Sequence, residues 1–145
     1  MYALGQFGPE AAPAVPDLIS ILDRNDDTST LAASALGKIG PAAKQAIPSL
    51  LRGARNSGYR IEALGRIHQE PELVVPALTN CLSEAPPLLP GNYIRICCAE
   101  ALGQFGTNAT PAVPFLIKVL GDPNPFVRSA ASNALQQISP PKAAP

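Results

Sequence analysis

Apolar side chains recur along the chain at intervals of three and four residues, which is the spacing of one buried face of an α-helix. The two clearest copies of this spacing are Val15, Leu18, Ile19 and Leu22, and Val113, Leu116, Ile117 and Leu120. A third copy begins at Ile47, and a weaker fourth copy has Thr79 where an aliphatic side chain is expected. No segment requires a β-strand, so the pattern predicts an all-α protein.

Two short motifs repeat at a fixed distance from each other. Ala-Leu-Gly has its leucine at Leu4, Leu36, Leu64 and Leu102, and apolar-Pro-x-Leu has its proline at Pro16, Pro48, Pro76 and Pro114. Each leucine precedes its proline by 12 positions, whereas the distance from a proline to the next leucine varies from 16 to 26. The connection between successive hairpins therefore has a fixed length, whereas the loop within each hairpin accepts insertions. This is typical of a solenoid of helical hairpins.

The ends of the predicted helices carry their own signals. The proline of each repeat suits the first turn of the first helix, because it lacks an N–H and has a fixed φ. Four positions after the Ala-Leu-Gly leucines stand Gly8, Gly40 and Gly106, which favour left-handed caps at the end of the second helix. His68 occupies the same slot, so we interpret it as a turn residue. Asn124-Pro125 and Gly91-Asn92 are candidate starts for second helices.

These signals together predict an α-α superhelix of about four hairpins in a single domain, residues 1–139. The hairpins are expected at 13–40, 45–68, 72–106 and 111–139, after a half-hairpin at 1–8, and residues 140–145 are expected to be a disordered tail. Because Met1 to Gly5 resembles the end of a helix without its beginning, we expect the chain to be a fragment or to be trimmed at its front.

Composition narrows the class of protein further. Hydrophobic residues make up 46% of the chain but aromatic residues only 5%, so the core must consist of Ala, Leu, Ile and Val. The formal net charge is zero, which disfavours a general nucleic-acid-binding protein. No stretch reaches 18 apolar residues, so we expect no membrane span or membrane partner.

The cysteines do not form a disulfide framework. There are three, Cys81, Cys97 and Cys98, and two of them are adjacent. We interpret Cys97 and Cys98 as small buried hydrophobes and expect a reducing, cytoplasmic location. Neither a metal site nor a cofactor is expected.

The repeat resembles the short HEAT repeats that are named after phycobilisome lyases. The best copies run from Pro114 to Ile138, with Asp122, Val127 and Arg128, and from Pro16 to Gly40. In that family an Arg seven positions before the leucine usually joins an Asp in a ladder between repeats. Arg95 and Arg128 occupy this slot, but Ser29 and Ser57 replace it in the first two full repeats, where the resemblance therefore does not imply the ladder.

A polar stripe is predicted along the second helices, which usually line the concave face of such solenoids. Its members stand two positions before and two positions after each Ala-Leu-Gly leucine: Tyr2 and Gln6, Ser34 and Lys38, Glu62 and Arg66, Glu100 and Gln104, Asn133 and Gln137. The stripe has charges in its middle and amides near its ends. It is either a binding face for a protein partner or an ordinary solvated surface.

The expected function is that of a non-enzymatic scaffold that binds another protein on the concave face. Within the stripe, the candidate partner-binding residues are Lys38, Glu62, Arg66, Glu100, Gln104, Asn133 and Gln137. No catalytic residue set is recognised. The resemblance leaves open a subunit of a phycobilisome-lyase-like enzyme that attaches bilin to protein.

Four further expectations concern other activities, other partners and the longest loop. The HEAT-type deoxyhypusine hydroxylases hold iron with several His-Glu pairs, and the sequence does not match them. His68 is the only histidine and is followed by Gln69 rather than Glu. A role like that of HEAT-like DNA glycosylases is disfavoured by the mixed charges of the stripe and the absence of Trp. The exposed end repeats are candidates for self-association, and the long loop from Ser83 to Gly91 is either a docking tip or a tolerated insertion.

Overall fold

The computed structural model of the protein describes residues 8–86 and 90–139. Three predictions therefore lie outside the described residues: the half-hairpin with Tyr2 and Gln6, the leucines of the long loop, and the disordered tail. Within the described residues every regular element is helical, as the apolar spacing predicted. Among them, no helix combines the length and apolar character that crossing a membrane requires.

Eight α-helices occur in the described residues, and they pack in sequential pairs. Their bounds are α1 Val15–Leu22, α2 Thr28–Ile39, α3 Ile47–Gly53, α4 Gly58–Ile67, α5 Pro71–Glu84, α6 Gly91–Gln104, α7 Val113–Val119 and α8 Pro125–Ile138. Short 3₁₀ segments precede α1, α3 and α7. The four pairs match the four predicted hairpins, so the all-α hairpin architecture is confirmed.

The chain divides into two compact units, Met1–Glu70 and Pro71–Pro145. In the first unit α1 packs on α2, α3 packs on α4, and the second helices α2 and α4 pack on each other. The second unit repeats this plan, with α5 on α6, α7 on α8 and α6 on α8. Each unit therefore consists of two hairpins joined chiefly through their second helices.

The interior of each unit consists of aliphatic and small side chains. In the first unit the leucines of the repeat motifs, such as Leu18, Leu36 and Leu64, are fully or almost fully buried. The second unit buries the matching Leu78, Leu102 and Leu116. Burying apolar surface stabilises a fold by about 25 cal/mol per Å², so the repeated leucines carry much of each unit's stability.

One predicted helix start and one predicted helix cap are wrong. α5 begins at Pro71 rather than at the motif proline, and Pro76 lies inside the helix. Pro71 itself has no N–H to satisfy in a first helical turn, which suits it to be the starting residue. α6 begins at Gly91 with Pro90 at the cap position and no side-chain cap, so Gly91-Asn92 is not the predicted cap. Asn124, by contrast, caps α8 as predicted: its side chain accepts hydrogen bonds from Phe126 N and Val127 N.

The predicted turn slot is confirmed. Gly40 and Gly106 adopt positive φ angles of 71° and 52°, as does Gly8. His68 is left-handed in the same slot, at φ 50° and ψ 42°, and its N–H donates to Leu64 O. Because left-handed backbone is disfavoured for side chains with a Cβ, His68 holds a conformation that Gly adopts more easily.

The apolar face predicted for α7 is only partly buried. Leu116 is buried, but Ile117 is 55% exposed and Leu120 is 41% exposed, although the equivalent Leu22 of α1 is fully buried. In a stack of hairpins each unit is covered by its neighbours, and no described helix follows α8. The prediction of burial was therefore wrong for the last hairpin, and Ile117 and Leu120 belong to its surface.

Candidate functional site

The second-unit part of the polar stripe lines one shallow depression. Glu100 and Gln104 come from α6, and Asn133 and Gln137 come from α8. The depression has a volume of about 270 Å³, and Ala130 and Ala134 complete its lining. Register alone thus predicted four side chains that the tertiary structure brings together, all of them exposed.

Small residues allow α6 and α8 to approach closely beneath these polar groups. A Cβ placed on Gly103 would lie 3.0 Å from Ala134 Cα and would collide with the side-chain oxygen of Gln137. A glycine is therefore needed at position 103 because there is no space for a Cβ, and not because of its backbone angles. The side chain of Gln137 lies against it. The close approach makes the depression a shared surface of two helices rather than a gap between them.

The four polar side chains of this depression have no hydrogen bond to another described side chain or backbone group. Other exposed polar side chains of the second unit do have such partners: Thr110 donates to Thr107 O, and Arg128 donates to Asp122 O. The donors and acceptors of Gln104, Asn133 and Gln137 are thus available to a ligand or to water.

The first-unit part of the stripe has a different charge. Lys38 and Arg66 are exposed, and Ser34 and Glu62 are half-buried. Arg66 lies across the neighbouring helix, because a Cβ on Gly37 would be 3.4 Å from Arg66 Cδ and 3.0 Å from Ala63 Cα. The stripe of the first unit therefore has an exposed cation on each of α2 and α4, whereas that of the second unit has Glu100 and three amides.

An ion pair links the two hairpins of the second unit. Arg95 of α6 pairs with Asp122, which lies in the turn between α7 and α8, and both side chains are buried. Asp122 Oδ1 also accepts a hydrogen bond of 2.8 Å from Asn124 N. Burial lowers the pKa of the Arg95 guanidinium. An Arg that reaches from the second helix of one repeat to the turn of the next is the contact that the resemblance to HEAT repeats implied.

The comparisons with known proteins agree with this geometry. A model of the family described as HEAT repeats matches residues 75–145. This segment of the chain is therefore similar to HEAT repeats. No curated protein matches the chain.

Arg128, the other arginine in the predicted slot, makes a different contact from that of Arg95. Its Nη1 donates to the backbone carbonyls of Asp122 and Pro123, at 2.8 and 3.1 Å. Both acceptors belong to its own hairpin turn, so Arg128 braces that turn and does not reach an Asp side chain. Of the two arginines in the predicted slot, Arg95 makes the ion pair.

In the first unit a different arginine replaces the ladder. Arg60, one turn after Ser57, is buried and donates to Ser49 O and Leu22 O at 2.8 Å and to Asn25 Oδ1 at 2.7 Å. Burial lowers its pKa most, and the nearby Asp23 charge partly offsets that effect. The repeat pattern did not predict this network, because Leu22 and Asn25 are 38 and 35 residues away from Arg60 in the sequence.

The remaining singled-out side chains agree with structural roles. Cys81, Cys97 and Cys98 are all buried, as predicted for the last two. A hydrogen bond with Cys81 and burial raise the pKa of Cys98, so its thiol stays protonated near neutral pH. His68 is an exposed cap residue of α4.

A second concave surface of the second unit was not predicted. It has a volume of about 450 Å³ and lies between α5, the 3₁₀ segment that precedes α7, and α7. Its lining residues include Val75, Pro76, Pro111 and Phe115. Two of these are the motif proline and its preceding apolar residue, so the motif that starts a HEAT-type first helix also contributes an exposed apolar surface.

Proposed function

We propose that this protein is a non-catalytic scaffold that binds a protein partner on the polar stripe. The observation that carries the proposal is the depression between α6 and α8, where Glu100, Gln104, Asn133 and Gln137 meet without hydrogen-bond partners among the described residues. Repeat solenoids commonly use such surfaces to bind other proteins. In the first unit, exposed Lys38 and Arg66, with Glu62 beside them in the register, supply charges that a partner can match.

The test is capture of a partner by the full chain, followed by mass spectrometry. Two variants divide the stripe: Lys38→Glu with Arg66→Glu in the first unit, and Glu100→Lys with Asn133→Lys in the second. A matched control, Gln45→Lys with Gln136→Lys, changes two exposed residues outside the stripe. Circular dichroism checks that every variant keeps its helix content.

We expect the control variant to capture the same protein as the native chain, and at least one stripe variant to lose it. Capture that survives both stripe variants and fails in the control would contradict the proposal. Equal capture by all four proteins would also contradict it, because binding would then lie on the first-helix side, the turns or the ends.

Self-association through the last hairpin is a second proposal with its own observation. Ile117, Leu120 and Phe126 are 55%, 41% and 71% exposed at the α7–α8 end of the second unit. Exposed large apolar side chains often mark a protein–protein contact, and here they favour a contact with another copy of the chain. Light scattering at rising concentration should show dimers that Leu120→Lys with Phe126→Ser removes, and a monomer at all concentrations would refute the proposal.

The cytoplasmic location and the phycobilisome-lyase alternative remain predictions. The odd number of cysteines and the adjacent Cys97 and Cys98 support a reducing compartment. The alternative rests on the repeat pattern alone. Mixing the purified chain with a bilin and recording the visible absorption band tests it, because a shifted band is expected only if the chain binds the pigment.

A further inference from the structure

We infer that the depression between α6 and α8 binds an extended peptide segment that places a lysine or arginine beside Glu100. The inference rests on the proposed function and names its partner chemistry. It follows from four properties of the lining residues: their size, their hydrogen-bonding groups, their spacing and their charge.

The size of the depression suits a peptide side chain and its backbone. Its volume of about 270 Å³ is below the roughly 300–1,000 Å³ of most small-molecule sites. Ala130 and Ala134 line it with small, buried side chains, so on α8 these two residues leave room for a peptide backbone. A shallow surface of this size can accept a short peptide segment.

The hydrogen-bonding groups favour an extended segment over a helix. Each side-chain amide of Gln104, Asn133 and Gln137 offers an N–H donor and a carbonyl acceptor. An extended peptide presents unpaired N–H and C=O groups of the same two kinds. A helix has already paired these groups internally, except at its ends. The three amides can therefore satisfy the backbone of an extended partner but have little to offer the side of a helix.

The spacing of the four residues matches that of an extended chain. Glu100 and Gln104 are four residues apart on α6, as are Asn133 and Gln137 on α8. Four helical residues rise about 6 Å, and two strand residues rise about 6.6 Å. A segment lying along the helices would thus present alternate residues to successive turns of α6 and α8.

The charge of the depression selects a basic side chain. Glu100 is the one ionisable residue among its lining residues. A carboxylate without a cationic neighbour attracts Lys or Arg and repels phosphate. The lining residues include no aromatic ring on which a nucleobase would stack. The ligand chemistry is therefore that of a basic, extended peptide rather than of a nucleic acid.

The test begins with selection of displayed random heptapeptides on the immobilised full chain. Enriched sequences are synthesised, and their affinity is measured by fluorescence anisotropy. The variants are Glu100→Gln and Asn133→Ala, and the matched controls are Gln136→Ala and Ser129→Ala, which change exposed residues of α8 outside the depression. We expect enrichment of Lys or Arg, with affinity falling about tenfold or more in the two variants and little in the controls.

Nuclear magnetic resonance gives an independent readout of the same contact. The side-chain amide signals of Gln104, Asn133 and Gln137 should shift when a selected peptide is added, whereas the signal of Gln136 should stay in place. Methylation of the peptide backbone nitrogens should weaken binding, because it removes the N–H groups that donate hydrogen bonds to the side-chain amide oxygens of the depression. Shifts confined to Gln136, or full affinity after methylation, would overturn the inference.

The outcomes also separate this inference from the proposed function. If selection enriches acidic or aromatic peptides while capture of a partner still depends on Glu100 and Asn133, the peptide class is wrong and the proposed function stands. If substitution of Glu100 and Asn133 changes neither peptide affinity nor partner capture, both proposals fail at this surface.

Discussion

Each of the two units has a buried arginine that connects its two hairpins, but the two arginines have different partners. In the second unit Arg95 meets the carboxylate of Asp122, so charge is balanced by charge. In the first unit Arg60 donates to the carbonyls of Leu22 and Ser49 and to the amide oxygen of Asn25, so its hydrogen-bond partners are dipoles. The Asp23 charge lies nearby. Both arginines join one hairpin to the other hairpin of their unit. The comparison shows that each unit has a buried arginine between its two hairpins, but at a different position of the repeat.

The difference matters for what remains when one partner is removed. Loss of Asp122 leaves a buried guanidinium without a counter-charge. Loss of Arg60 leaves the carbonyls of Leu22 and Ser49 and the amide oxygen of Asn25 without a donor. A buried neutral acceptor without a donor costs less free energy than a buried charge without a counter-charge. The two units should therefore respond differently to matched substitutions.

The largest effect is expected from Asp122→Asn. The amide keeps an acceptor for Asn124 N but removes the charge that Arg95 faces. We expect the free energy of unfolding to fall by about 3–5 kcal/mol, because Arg95 stays buried and unpaired. Urea denaturation followed by circular dichroism measures it. The double variant Arg95→Met with Asp122→Asn should recover much of the loss, and a double variant as unstable as the single one would contradict the ion pair's role.

A smaller effect is expected from Arg60→Met in the first unit. The aliphatic stem is retained, while the hydrogen bonds to Leu22 O, Ser49 O and Asn25 Oδ1 are lost. We expect a loss of about 1–3 kcal/mol, the range for buried acceptors left without a donor. Arg55→Met is the matched control, because Arg55 is exposed in the same unit. A loss for Arg60→Met as large as that for Asp122→Asn would end the distinction between the two units.

The cap of α8 should have a moderate effect. Asn124 Oδ1 accepts from Phe126 N at 2.9 Å, and Asn124→Ala removes that acceptor. We expect a loss of about 1 kcal/mol, which is typical of an N-cap. Asn133→Ala on the same helix is the control, with a change within about 0.5 kcal/mol because the residue is exposed. Equal effects of the two substitutions in thermal denaturation would show that the cap contributes nothing.

The smallest effect concerns pH and belongs to the first unit alone. Hydrogen bonds from Thr28 to the Asp26 carboxylate lower its pKa below the ordinary value of 3.8. Since the folded pKa is the lower one, this stabilisation is present above pH 3.8 and is lost as the pH falls through the folded value. A titration of Asp26 by nuclear magnetic resonance should show the lowered pKa, and Thr28→Ala should bring it back towards 3.8. An unshifted Asp26 in the native chain would contradict the contact.

The sequence predicted the helices well where their signals are local. Apolar spacing gave the four hairpins, and the slot after Ala-Leu-Gly gave the positive φ of Gly40, Gly106 and His68. The local signals predicted the wrong start for α5, where two prolines are both possible first-turn residues. Pro71 and Pro76 are both acceptable near a helix start, and packing of Val74 and Val75 in the interior favours the longer helix α5.

The candidate site was predicted as a list of residues, not as a surface. Register placed Glu100, Gln104, Asn133 and Gln137 on the outward side of two helices, because side chains at i and i+4 share a face. It did not predict the depression that they share. That feature depends on the distance between α6 and α8, which the contact of Gly103 with Ala134 sets.

The sequence by itself determined the helical hairpins, their caps and the outward register of the polar stripe, because these follow from residues that are near in the chain. Only the tertiary structure decided how each arginine is satisfied, which apolar side chains of α7 stay exposed, and that four polar residues meet in one depression. These features depend on groups that are distant in sequence. Their contacts arise only when one hairpin packs against another.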